Sequence, residues 1–240
     1  MIINTQGIVL NTIRYSDSSV IAKIYTGSSG LRSFMVRTGK GRTALLRMST
    51  LQPLSLIELS FDKDDKKGLR TPRSLERSKT MNAIPFDTAK TCIALFMAEV
   101  IARSIGEEEA NGKLFNFLQM SVIMLDEEHE IVNNFHLKFM LEFSSFLGFY
   151  PHERMAGQSH FDLVEGEFSS SDILHPYVIS GPALEAFQKL IEAPFSEHFK
   201  PRISNSVRRE LLQHLVDYFK LHLEGMKEII SHKVLEEVLI

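Results

Sequence analysis

Phosphate chemistry is what the residues of this chain offer first. In "LRSFMVRTGKGRT", residues 31–43, an alternating run breaks into two glycines flanked by Arg37, Lys40 and Arg42, with Arg32 before them and Arg47 soon after. A nucleotide-hydrolysing loop would need glycine at position 34 and a hydroxyl residue after the lysine. Phe34 and Gly41 stand there instead, so that chemistry is excluded. No G-x-G-x-x-G follows a strand and opens a helix, which removes a dinucleotide site, and no G-x-S-x-G elbow occurs. The nine histidines lack the spacing of metal ligands: "HE" at 152 has no second histidine one helical turn on. Carboxylates cluster in solvated runs such as "GEEEA" and "DEEHE". Catalytic residues, a cofactor and a metal are therefore not expected, and the chain reads as a non-enzyme.

The cations remain. No Asp or Glu stands between Asp17 and Glu58, whereas Arg32, Arg37, Lys40, Arg42 and Arg47 fall within that interval. Residues 1–80 hold 14 Lys and Arg against 6 Asp and Glu, a formal charge of +8, and residues 81–240 carry −11, giving the net −3 of the whole. Such asymmetry points to a polyanion-binding module joined to a part with another task. On a small barrel, Arg70 and Arg73 would join the five to make a groove that follows phosphates without reading bases. A soluble face would mix signs, and this interval does not. Base stacking has thinner support, since Tyr25 and Phe34 lie in strand-like runs that favour core packing and Tyr15 alone, in the turn "RYSDSS", is expected at the surface.

Sheet elements must position these cations. "GIVLNTIR" (7–14), "SVIAKIYT" (19–26), "GLRSFMVR" (30–37) and "LSLIELSF" (54–61) are rich in β-formers, and "LRTPRSLERS" (69–78) follows the loop "DKDDKKG". Five short strands in residues 1–80 predict a small antiparallel barrel, because closure removes exposed edges. From residue 81 the apolar period becomes helical. Asp87 is a candidate N-cap, Gly106 and Gly148 are candidate stops, and Pro182 suits a first helical turn. "NFHLKFMLEFSSFLGFYP" is apolar on nearly every side and predicts the centre of a helical bundle. Residues 152–180 are irregular apart from a hairpin-like "FDLVEGEF". The expected class is α+β with two domains, a barrel over 1–80 and an all-helical domain over 81–240. Cys92 is the only cysteine, which precludes an intramolecular disulfide. No run reaches the roughly 20 apolar residues of a membrane span, and the N-terminus does not resemble an export signal, so a cytoplasmic, nucleoid-associated protein is expected.

Three segments, "GIVLNTIRYSDSSVIAKIYTGSSGLRSFMVRTGKG", "FSSFLGFYP" and "LLQHLVDYFKLHLEGMKEIISHKVLEEV", resemble in order and spacing the RecO family of bacterial recombination mediators. The resemblance implies an N-terminal OB-fold, a helical C-terminal domain, binding of single- and double-stranded DNA, and annealing of complementary strands. It also implies partnership with RecR and with the acidic C-terminal tail of single-stranded-DNA-binding protein (SSB), to help load RecA. Some members hold a four-cysteine zinc site after the Leu-Gly-x-x-Pro segment, but residues 152–180 contain no cysteine here. Lys138 falls near a basic position of the family and would receive the acidic tail, whereas Glu142, four residues on, offers an intrahelical ion pair instead. Two other readings stay open: an RNA-binding factor on the same barrel, and a protein adaptor whose basic face meets an acidic partner.

Overall fold

The computed structural model describes residues 1–39, 47–63, 68–106, 109–127, 133–195 and 202–239. The chain divides into two compact units, Met1–Glu127 and Glu128–Ile240.

In the first unit, strands β1 (Ile2–Ser16), β2 (Ser19–Thr26), β3 (Gly30–Arg37), β4 (Leu56–Asp62) and β5 (Ser74–Arg77) form an antiparallel sheet in the order β3-β2-β1-β4-β5. The long β1 serves two partners: Ile2–Ile8 pairs with β4 and Gly7–Ser16 with β2, with register shifts at Val9/Asn11 and Arg14/Ser16. Such irregularities bend a strand and increase its twist. Gly7 sits where both pairings overlap, and a Cβ there would lie 2.7 Å from the Ile24 side chain. The inner face packs Val9, Ala22, Ile24, Phe34, Ile57 and Phe61 into one core, in which Phe34 and Phe61 meet edge to face at 5.2 Å.

Among the described residues the expected closed barrel is not formed. The curled sheet meets its far edge at a single bridge, where Arg70 donates its N–H to the Ser33 carbonyl (3.1 Å) and accepts from the Met35 N–H (2.6 Å). In a parallel ladder the next donor would be residue 72. That residue is Pro72, which has no N–H, so the ladder stops.

Helices α1 (Thr88–Ser104) and α2 (Gly112–Glu127) complete this unit. Asp87 caps α1 by accepting the Lys90 N–H at 2.9 Å, as its sequence position predicts. Strand β1 is buried without a break from Gly7 to Leu10, so the sheet is covered on both faces there. Tyr25 stacks on Phe115 of α2 at 6.3 Å, and the Lys23 ammonium reaches the Ala102 carbonyl of α1 at 3.2 Å.

The second unit contains α3 (Phe135–Leu147), a small sheet β6 (His160–Asp162), β7 (Glu167–Ser169) and β8 (Val178–Ser180) in the order β7-β6-β8, then α4 (Gly181–Glu192), α5 (Asn205–His222) and α6 (Ser231–Val238). Helix α3 is the centre that its composition predicts, buried continuously from Phe135 to Leu141 and stopped by Gly148 in the left-handed region at φ 90°. The three strands correct the all-helical expectation. Asp162 accepts the Val164 and Glu165 N–H groups and Gly166 turns at φ 73°, which sets the hairpin that "FDLVEGEF" foreshadows. Phe161 on β6 then packs against Phe168 and Phe187 at 4.9 and 4.8 Å.

Candidate nucleic-acid interface

Strand geometry divides the expected cations. Arg32 and Arg37 are an odd number of residues apart on β3, and side chains alternate between faces, so the two point to opposite sides of the sheet. Arg32 shares the parity of Phe34 and Val36 and is half-buried. Arg37 is exposed at the strand end, where its carbonyl accepts the guanidinium of exposed Arg47, from the helical turn at 47–50. Lys40 and Arg42 lie outside the described residues.

Arg70 and Arg73 are each engaged within the sheet. The Arg70 guanidinium lies over the Phe61 ring at 5.4 Å and donates to the Asp62 carbonyl at 3.3 Å, while its backbone makes the closing bridge. Arg73 grips the Asp62 carboxylate as a fork at 2.9 and 3.0 Å. The Arg73 hydrogen bond holds the Asp62 carboxyl below its ordinary pKa, so the pair stays ionised and sums to zero charge. The five described cations, Arg32, Arg37, Arg47, Arg70 and Arg73, therefore do not share one face of the sheet.

A different row appears. Arg77, at the end of β5, donates to the Ser49 carbonyl at 2.5 Å and to its hydroxyl at 3.4 Å, on the same helical turn that carries Arg47. The Arg47 guanidinium on the Arg37 carbonyl and the Arg77 guanidinium on Ser49 thus tie β3, the 47–50 turn and β5 together through neutral oxygens. Among the described residues none of the three is ion-paired, so each keeps its full charge at the surface. Lys79 follows, paired with Glu127 at 2.6 Å. Arg77 was legible in principle, because a strand puts Arg73, Leu75 and Arg77 on one side.

A buried carboxylate holds the segment beyond β5. Asp126, 2 % exposed, accepts the N–H groups of Asn82 (2.8 Å), Ala83 (2.9 Å) and Ile84 (2.9 Å). Burial alone would raise its pKa, but the three N–H donors and the nearby Lys90 outweigh it and keep the carboxyl below the ordinary value. Nothing in the spacing of the chain signals this contact.

The remaining candidates have internal roles. Tyr25 and Phe34 are in the core and Tyr15 is 62 % exposed. Lys138 is 1 % exposed, with its ammonium on the Glu142 carboxylate at 2.6 Å and the Leu190 carbonyl at 2.8 Å. The intrahelical ion pair that Glu142 offers is thus formed, and the ammonium lies in the interior. Burial pushes the Cys92 thiol pKa up, away from a reactive thiolate. Among the described residues no cluster of three His, Cys, Asp or Glu side chains is placed to hold a metal, and no helix is long and apolar enough to cross a membrane.

Comparison with known proteins covers both parts of this arrangement. The model for the recombination protein O N-terminal domain matches residues 1–81, and that for the recombination protein O C-terminal domain matches residues 85–228. The chain belongs to the RecO family. Similar RecO sequences include the DNA repair protein RecO of Flavobacterium psychrophilum, 32 % identical over 99 % of each chain. Those of Phocaeicola vulgatus and Bacteroides fragilis are each 33 % identical over 99 % of each chain. The residues between the two RecO segments are Asn82, Ala83 and Ile84, the three whose N–H groups Asp126 collects.

Proposed function

We propose that this RecO-family chain acts in DNA repair and recombination by binding single- and double-stranded DNA through phosphate contacts and annealing complementary strands. The family match across both segments carries the repair role. The linked row Arg37, Arg47 and Arg77 supports the contact surface, and the curled five-stranded sheet supports an OB-type reading of the first module. Cations that screen two strands at once lower their mutual repulsion until bases pair, with no covalent step. Family resemblance adds RecR and the SSB tail as partners, with RecA loaded as the outcome.

Three phosphate contacts give a log-log salt slope of roughly −2 on single strands, about a 20-fold loss of affinity between 50 and 200 mM salt. The test is a titration of labelled single-stranded DNA with the full chain at several salt concentrations, repeated with R37E/R47E/R77E. The variant should lose most binding and all annealing while keeping its helical circular dichroism. Unchanged binding, or stronger competition by matched RNA than by DNA, would overturn the reading.

A further inference from the structure

Phe86 is 85 % exposed, yet it is not on a loose loop. Its N–H donates to the Ala83 carbonyl at 2.9 Å, as does that of Asp87 at 3.0 Å, and the Ala83 N–H is itself fixed by buried Asp126. Asp87 then caps α1. A phenylalanine held rigidly in water bears the cost of hydrating its ring and gains no packing in return. Such an aromatic is pre-organised for a ligand at the backbone, because little main-chain freedom is left to lose on binding.

The ring borders a groove of about 540 Å³. Leu54, Ile84, Pro85 and Leu95 give it apolar walls, and Gln52 and Asn82 give it amide donors and acceptors. Arg77 lines it as well, together with Lys79, whose ammonium is paired with Glu127 at 2.6 Å. Arg77 also ends the cation row that passes through Ser49 to the turn of Arg47, so the groove continues that row. Apolar faces, amide groups and the unpaired Arg77 guanidinium match an unstacked nucleobase with its phosphate, and a lining without carboxylates does not favour a basic peptide.

We propose that Phe86 and this groove form a base-stacking subsite for an unpaired nucleotide at the end of the Arg37–Arg47–Arg77 row. This rests on the DNA-binding reading of the row and deepens it: the cations hold any strand, and Phe86 selects strands whose bases are free. A duplex keeps its bases stacked and cannot fill the subsite.

The chain has no tryptophan, so Phe86→Trp installs a single reporter ring. Oligo(dT) should quench its fluorescence, duplex DNA should leave it unchanged, and excess salt should reverse the quenching. Phe86→Ala should weaken oligo(dT) binding about 5- to 100-fold, from the stacking contribution of one base, with duplex affinity and thermal midpoint unaltered. If Phe86→Ala binds oligo(dT) as the parent does, or loses single strands and duplex equally, the subsite is refuted while the row stands. Failure of the parent chain to bind DNA at all refutes the row as well. Quenching by a peptide and not by oligo(dT) would assign the groove to a protein and overturn the proposal.

Discussion

Acidification should destabilise the second unit through His136. This residue begins α3, is fully buried, and shares a small cavity with Arg208, Leu212, Leu235 and Leu239. Burial first, and the Arg208 guanidinium second, lower its pKa from 6.5 to about 3. Arg208 is itself 7 % exposed and donates to four neutral oxygens, those of Asn134, Asn205, Ile203 and Leu239, so a protonated His136 would lie beside a second buried cation. Between the two pKa values the unfolded chain binds the proton and the folded chain does not, so stability falls as pH drops below 6.5 and the loss ends near the folded value. At pH 4.5 that loss is roughly 2–3 kcal/mol for this one group. The assay is urea unfolding of the parent and of His136→Gln at pH 7.0, 6.0, 5.0 and 4.5. Subtracting the two curves cancels the carboxylates and the other histidines. Glutamine should be the less stable side chain at pH 7 and should gain on the parent by about 1.4 kcal/mol per pH unit below 6. Parallel curves would show that His136 takes up its proton in the folded chain and that burial does not hold it neutral.

Two further outcomes follow from the first unit. Asp126→Ala strands three backbone N–H groups and removes the anion beside Lys90, and should cost about 3 kcal/mol in urea unfolding at pH 7. Because the Asp126 pKa is depressed, its contribution is present above pH 3.8 and is lost as pH falls through the folded value, a dependence the alanine variant should not show. Asp62→Asn frees Arg73 from its partner and should steepen the single-strand salt slope by roughly 0.7, with tighter binding at low salt. An unchanged slope would place Arg73 away from the phosphate path.

Local rules made much of the fold legible. The Asp87 cap, the Gly148 stop, Pro182 in the first turn of α4, and β2 and β3 at their full extent are all set by neighbouring residues. What stayed hidden depends on partners distant in sequence. Barrel closure fails at Pro72 only because residue 70 has met β3. Lys138 reads as a surface lysine until α4 supplies the Leu190 carbonyl that buries it. Arg32, Arg37 and Arg47 are near in sequence, whereas a strand sorts residues by parity. That rule alone separates Arg32 from Arg37 and groups Arg77 with Arg73. Asp126 and the segment it holds are 42 to 44 residues apart, beyond any local signal.

What an arginine does here depends on which oxygen holds it. On a carboxylate, as with Arg73 and Asp62, the fork is fixed but its charge is cancelled, and nothing is left for a polyanion. In the interior, as with Arg208, four neutral oxygens use up the donors and the charge serves only to anchor chain segments. Arg47 and Arg77 fall between these cases, each resting on a backbone carbonyl at the surface. A carbonyl orients the planar fork without neutralising it, and a guanidinium has five N–H donors, so several remain for phosphate oxygens. Orientation without neutralisation is what a phosphate-binding surface requires. Arg47 and Arg77 meet that requirement at the exposed surface, whereas Arg70, also on a carbonyl, is half-buried with its guanidinium over the Phe61 ring.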